Sequence, residues 1–147
     1  MAETKDLQKS SYPLPAYNFR VTVDGTPMSF AEVSGISLEY ETVTYRHGLS
    51  FWEGEGIKKY HYDKYVNFTL KKGTIKGIDF LYAWLKEKAV RAVQVSLCDE
   101  QGQPVVSWRV AKALPVKLEA PTFSADTNEV AIESLEVMAA GISVEYH

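Results

Sequence analysis

The residue types that could do chemistry are few in this chain and poorly placed for it. There is one cysteine, Cys98, and there are three histidines, His47, His61 and His147. A zinc site needs closely spaced Cys and His ligands, whereas His47 and His61 are far apart in sequence. Glu53, Glu55 and Asp63 flank them, and a hairpin could bring the two imidazoles together. An open hairpin tip, however, lacks the outer hydrogen bonds that orient metal ligands. Gly54-Glu55-Gly56 does not continue into a dinucleotide fingerprint, because Lys59 stands where the next glycine belongs. Lys71-Lys72-Gly73 reverses the order of a phosphate loop. Ser50 and Ser107 have no GxSxG setting, and Cys98 has no predicted helix N-terminus beside it to activate the thiol. No catalytic set, metal site or cofactor is expected, and the chain reads as a non-enzyme.

One stretch asks for a different kind of chemistry. From Tyr45 to Tyr65 the sequence runs YRHGLSFWEGEGIKKYHYDKY and carries Tyr45, Phe51, Trp52, Tyr60, Tyr62 and Tyr65. Hairpin loops usually have about 2–5 residues, and structureless loops beyond about 12–15 are uncommon unless functional. Disordered segments are poor in aromatics, because large apolar side chains drive burial. The stretch is too long for a turn and too aromatic for a free tail, so something must cover it, and another copy of the same chain is the expected cover. Lys58, Lys59, Lys64, Lys71 and Lys72 interleave with its tyrosines, which is also the composition of a single-strand nucleic-acid groove. A net charge of −3 opposes phosphate binding.

The elements that must position this stretch read mostly as β. With 147 residues, 46% hydrophobic and 24% charged, the composition is that of one globular domain. A single cysteine permits no intrachain disulfide. The opening MAETKDLQKSSYPLP lacks the apolar run of a secretory signal, no window is long and apolar enough for a transmembrane helix, and Asn67-Phe68-Thr69 reads as strand. Residues 1–12 are expected to be a mobile arm and 13–147 a single domain. Phe19, Val21 and Val23 alternate with polar residues up to an Asp24-Gly25 turn, and Phe30 to Val33 forms a return strand. Ile36, Leu38 and Tyr40 alternate in a strand that runs through Val43 into the aromatic excursion. A helix is predicted at about residues 77–87, with Ile78, Leu81, Tyr82 and Leu85 as its apolar stripe and Phe80 and Trp84 beside it.

Strands follow through Leu97 and, after a turn at Asp99–Gly102, from Pro104 past Trp108, with Pro115 marking a strand end or sheet edge. Two more strands close the chain, and Val130 and Ile132 fall out of phase with Leu135 and Val137, which suggests a bulge near Ser134. The fold class is therefore mainly β: an antiparallel β-barrel or sandwich with one external helix and a long hairpin excursion at about 44–65. Phe19, Ile36, Leu38, Trp84, Leu85, Leu97 and Trp108 are its expected core. Residues 44–76 hold seven Lys/Arg and three acids, while 118–147 hold six acids and no Lys or Arg. A molecule with a positive and a negative end favours head-to-tail contacts.

These residues resemble a family, the tail-tube proteins of contractile phages and the inner-tube proteins of related injection systems, typified by the phage T4 tail tube. The resemblance runs from about Pro13 to Tyr146. It is carried by YNFRVTVDG, by FAEVSGISLEYETVTYRHG, by VNFTLKKGTIKGIDFLYAWL with Trp84, by VQVSLCDEQGQPVVSWRVAKALPVKLEAPTF and by NEVAIESLEVMAAGI. Lys112-Ala113 departs from it, since the family often has asparagine before that alanine. The resemblance implies hexameric rings that stack head to tail into a hollow tube inside a contractile sheath, with a continuous β-barrel around the lumen and the helix outside. The implied partners are further copies of the chain, the sheath protein, baseplate or spike and terminator proteins, and a lumenal cargo of phage DNA or protein effectors. It implies assembly in the bacterial cytoplasm and a mature place in a phage tail or an extracellular injection particle. The expected inter-subunit residues are Tyr45, Arg46, His47, Phe51, Trp52, Lys58, Lys59, Tyr60 and Tyr62. The competing reading is a monomeric β-barrel module binding single-stranded nucleic acid or a small ligand. Whether the system is a phage, an extracellular particle or a secretion system stays open at this point.

Overall fold

The computed structural model of the chain describes residues 13–45 and 58–147, with the backbone alone described at 41–45 and 58–63. The described residues form nine strands and one helix. In chain order these are β1 (Phe19–Val23), β2 (Thr26–Met28), β3 (Glu32–Ser34), β4 (Tyr40–Tyr45), β5 (Lys58–Asp63), β6 (Val66–Gly73), α1 (Phe80–Glu87), β7 (Arg91–Cys98), β8 (Pro104–Glu119) and β9 (Ile132–Tyr146). Seven strands make one antiparallel sheet in the order β2-β1-β7-β8-β9-β6-β3, and β4 and β5 pair only with each other.

The order of the large sheet dictates its shape. Laid flat, seven strands at about 4.8 Å spacing would hold the edge strands about 29 Å apart. Those edges, β2 and β3, are joined by residues 29–31 alone, so Met28 and Glu32 lie within about 14 Å of each other. The sheet must curl until its edges nearly meet. Residues 26–34 act as one bent strand that bonds β1 before the corner and β6 after it, a switch typical of sandwich corners. The ladder itself does not close, so the fold is a rolled sandwich and not a sealed barrel. Lys72 pins the corner: its Nζ donates to the Ser29 carbonyl at 2.7 Å and sits 5.4 Å from the Phe30 ring centroid.

The alternation of β1 ends where the sequence places it. Asp24 (φ 50°) and Gly25 (φ 80°) both take the positive φ that a type I′ hairpin turn demands, and β1 folds directly back on β2. The Asp99–Gly102 turn also forms, with the Asp99 side chain accepting from the Gln101 and Gln103 amides. The core is filled by Val21, Val23, Phe68, Leu70, Val93, Val110, Leu135 and Val137 from the sheet and by Leu81 and Trp84 from α1. Trp84 is 1% exposed, and its indole Nε1 donates to the Ala89 carbonyl at 2.7 Å, just beyond Lys88, whose φ of 55° terminates the helix.

Several sequence expectations need correction. The helix occupies the expected place, but its buried positions are Leu81 and Trp84, with Phe80 and Leu85 half-buried, while Ile78 and Tyr82 are exposed. Ile78 lies in the turn before α1, and within the helix the face seated on the sheet is centred on Leu81 and Trp84, which turns Tyr82 outward. Leu38, expected in the core, is 43% exposed: residues 35–39 are not strand but a crossing from β3 to β4, so the alternation there has no sheet face to serve. Pro115 does not end a strand. It is buried within β8 and pairs with Val137 of β9, while β7 stops pairing at Ala113, so the proline stands where β8 is a sheet edge, the other alternative the sequence offered.

The chain closes with one 15-residue strand, and no bulge lies at Ser134, which pairs in register with Lys71. Val130 precedes that strand, and Ile132, its first residue, is exposed on the face opposite Leu135 and Val137, so the phase break needs no bulge. A different device bends the ribbon: the buried side of β9 passes from Ala139 to Ile142 at Gly141 (φ 69°), where a Cβ would stand 2.9 Å from that of Ala111. Of the other expected core residues, Phe19 and Ile36 are half-buried against the core, and Leu97 and Trp108 are half-buried.

Candidate assembly surfaces

The hairpin β4–β5 grows out of the body at a single root. The Lys64 amide donates to the Glu39 carbonyl at 3.0 Å, and their side chains form an exposed ion pair at 3.8 Å. Beyond the root the ladder runs in register from Tyr40↔Asp63 to Tyr45↔Lys58. Each strand has the other as its one sheet neighbour among the described residues, and its outer edge faces no further strand there. The body ends in the three-residue edge strands β2 and β3, with Pro27 removing a donor from the former, and it also leaves β8 without a β7 partner beyond Ala113 and β9 without a β6 partner beyond Ala139. A two-stranded hairpin is marginal in water by itself. Among the described residues, open strand edge is therefore found on the β4–β5 hairpin and on the overhanging ends of β8 and β9.

Of the sequence-predicted interface residues, Tyr45, Lys58, Lys59, Tyr60 and Tyr62 lie on this hairpin. Tyr45 pairs with Lys58, Thr44 with Lys59, Val43 with Tyr60 and Glu41 with Tyr62. Arg46, His47, Phe51 and Trp52 fall outside the described residues, as does the expected arm at residues 1–12. His61 pairs with Thr42 in the ladder, and no cluster of metal-ligating side chains occurs among the described residues.

The charge segregation seen in the sequence is folded together rather than drawn apart in the body. β6 and β9 are neighbours, so Lys72 stands opposite Glu133 and Lys71 opposite Ser134. Lys71 pairs with Glu32 at 3.1 Å, and Asn67 Nδ2 donates to Glu136 at 3.1 Å. The expectation of two oppositely charged ends therefore fails for β6, because strand pairing places the basic run beside the acidic one. Lys71 and Lys72 are engaged within the sheet, which also removes two of the five lysines that suggested a nucleic-acid groove.

Two apolar features were not singled out from sequence. A groove of about 740 Å³ opens beside β1 and β7, lined by Tyr17, Phe19, Phe30, Val33, Leu97 and Trp108 among others. Its residues come from strands whose alternation was legible, but only the corner at residues 29–31 brings Phe30 and Val33 across to face them. At the far end of the β8–β9 ribbon, the loop 120–131 holds Phe123 84% exposed and Val130 73% exposed. An aromatic inside a run of small and polar residues was the available signal. Arg91 ties the β1–β2 turn to the helix end, with Nη1 3.0 Å from Asp24 and Nη2 3.1 Å from Glu87. Beside Trp108, the buried Ser107 hydroxyl lies 2.8 Å from the Ser96 hydroxyl and 2.8 Å from His147 Nε2, so these side chains form a hydrogen-bonded chain across β7, β8 and the C-terminal residue.

Comparison with known proteins agrees with surfaces built for contact. Residues 15–143 match the family model described as T4-like virus tail tube protein gp19. A chain of the anti-feeding prophage tube-terminating cap superposes with a TM-score of 0.80 at 29% identity, covering 93% of each chain. A chain of the sheath-tube complex of an extracellular contractile injection system, PVC, in its extended state gives 0.81 at 27% identity, covering 97% of each. Hcp1 from Flavobacterium johnsoniae shares the fold alone, with a TM-score of 0.56 at 15% identity over 88% of this chain and 95% of its own. A comparison with curated protein sequences gave no match. With the family model spanning nearly the whole chain, this protein belongs to the T4-like tail tube family, and it is a structural tube protein of the contractile injection type.

Proposed function

We propose that the chain is the inner-tube subunit of a contractile injection particle, forming six-membered rings that stack head to tail around a lumen. The observation that carries this reading is the detached hairpin. A two-stranded ladder that no other strand flanks among the described residues stands off the seven-stranded sheet. In a ring, neighbouring copies supply the missing partners, and Tyr45, Arg46, His47, Phe51, Trp52, Lys58, Lys59, Tyr60 and Tyr62 are the contacts. Residues 13–147 make up the tube unit. The work done is mechanical: many modest contacts repeated along the tube give stiffness, and no bond is made or broken.

The sheath-tube complex, terminator, baseplate and cap structures in which its relatives occur suggest the same kinds of partner here. A protein effector or phage DNA would be the cargo, with assembly in the bacterial cytoplasm and the mature tube in an extracellular particle or a phage tail. The likeness to extracellular injection systems favours the particle and the protein cargo. Negative-stain microscopy of the purified chain tests the reading, with six-fold rings or hollow rods expected. Replacing residues 48–57 by a short Gly-Ser turn should leave a folded subunit that makes neither. Normal rods from that variant would remove the hairpin from the assembly mechanism, and a wild-type chain that stays monomeric at high concentration would overturn the tube itself.

A further inference from the structure

We propose that Phe123, on the loop between β8 and β9, docks into the apolar groove beside β1 and β7 of the next copy. This inference rests on the tube reading and names a contact within it. Knob and hole lie at opposite ends of one ribbon. From Trp108, on the groove, to Glu119, at the loop, β8 runs through about 35 Å of strand. A protruding patch at one end and a receiving patch at the other cannot satisfy each other within one molecule. Between copies they make a heterologous contact that repeats without limit unless a ring closes it.

The two surfaces match in chemistry. The groove is walled by Tyr17, Phe19, Phe30, Val33, Leu97 and Trp108, none of them fully buried. Phe123 is 84% exposed, more than any other phenylalanine described, and Val130 on the same loop is 73% exposed. The charged side chain that lines the groove itself, Glu32, is paired with Lys71 at 3.1 Å, which leaves the nearby unpaired charge to Arg20. The loop 120–131 carries Asp126 and Glu129 and no base. Arg20 lines a second hollow that shares Tyr17, Phe19 and Phe30 with the groove, and no carboxylate among the described residues pairs with it. An aromatic anchor entering an apolar pocket beside an oppositely charged rim is the usual form of an interface hot spot.

The test uses the full chain with Cys98, which is fully buried, left in place. Phe123→Cys and Val33→Cys are prepared separately, mixed, and treated with a short bismaleimide. Covalent dimers are expected in the mixture and not in either variant alone. Phe123→Asp should raise the protein concentration needed for rods by about tenfold or more, with the unfolding midpoint unchanged, because the residue contacts little in the free subunit. Absence of the mixed dimer, or rods from Phe123→Asp at the wild-type concentration, overturns the docking while leaving the tube intact. Wild-type chain that makes no rods defeats the tube reading, and the mixed cross-link still decides the docking by itself. If the cross-link appears only after residues 1–12 are deleted, the chain's own N-terminal segment fills the groove and the proposal is wrong.

Discussion

The rolled body and the β4–β5 hairpin are built from the same kind of strand and solve the edge problem in opposite ways. In the body, the corner at residues 26–34 turns one strand into a partner for both β1 and β6, so the seven-stranded sheet ends in two strands of three residues each, with the overhanging ends of β8 and β9 as its longer unpaired stretches. The hairpin has no such device: each of its strands has only the other as a sheet neighbour among the described residues. A buried core with Trp84 and Leu81 seated on the sheet holds the body, whereas the Lys64–Glu39 contacts at the hairpin root are a backbone bond and an exposed ion pair. Exposed ion pairs are worth about 0–1 kcal/mol. The lesson is that stability and assembly reside in different parts of this chain, and mutations should separate them.

The largest effect belongs to the body. Trp84→Ala removes a buried indole and its hydrogen bond to Ala89, and should lower the unfolding free energy by about 3–5 kcal/mol in denaturant titration. A loss below about 1 kcal/mol would mean that the helix is not integral to the core. Trp52→Ala should do the reverse. Truncating a buried interface aromatic costs about 2 kcal/mol or more of association, so rods should require a much higher concentration while the unfolding midpoint stays put. A shifted midpoint with normal rods would place Trp52 against its own body and blur the distinction.

Lys72→Ala probes the corner between the two strand halves. It removes the bond to the Ser29 carbonyl and the contact over Phe30, and about 1 kcal/mol of stability should go with them, read as a lower denaturant midpoint. The smallest effect on folding is expected from Lys58→Glu with Lys59→Glu, within about 0.5 kcal/mol for exposed positions. Their signature is kinetic: assembly followed by light scattering should slow at low salt and recover less difference at high salt, where charges are screened. Identical assembly curves across salt would show that the hairpin docks by backbone and aromatic contact alone.

Some of this was readable along the chain because the cause was local. The Asp24-Gly25 turn needs two positive φ values, and that dipeptide supplies them. The Asp99–Gly102 turn is set by an aspartate bonding amides two and four residues on. The place of the helix and the aromatic excess at 45–65 were likewise legible from composition and periodicity over short windows. Family membership followed from ordered motifs distributed along the chain, a property of sequence alone.

What the tertiary structure decided depends on residues far apart in sequence. Leu38 obeys a strand's alternation yet sits in a crossing, because no neighbouring strand comes alongside residues 35–39. Pro115 reads as a strand end or a sheet edge, and it is an edge because β9 pairs alongside it while β7 stops pairing at Ala113. The basic and acidic segments looked like opposite poles until pairing of β6 with β9 laid one against the other. Sequence fixes what each residue prefers over a few neighbours; burial, register and charge cancellation depend on which distant strand arrives beside it, and only the curled sheet determines that.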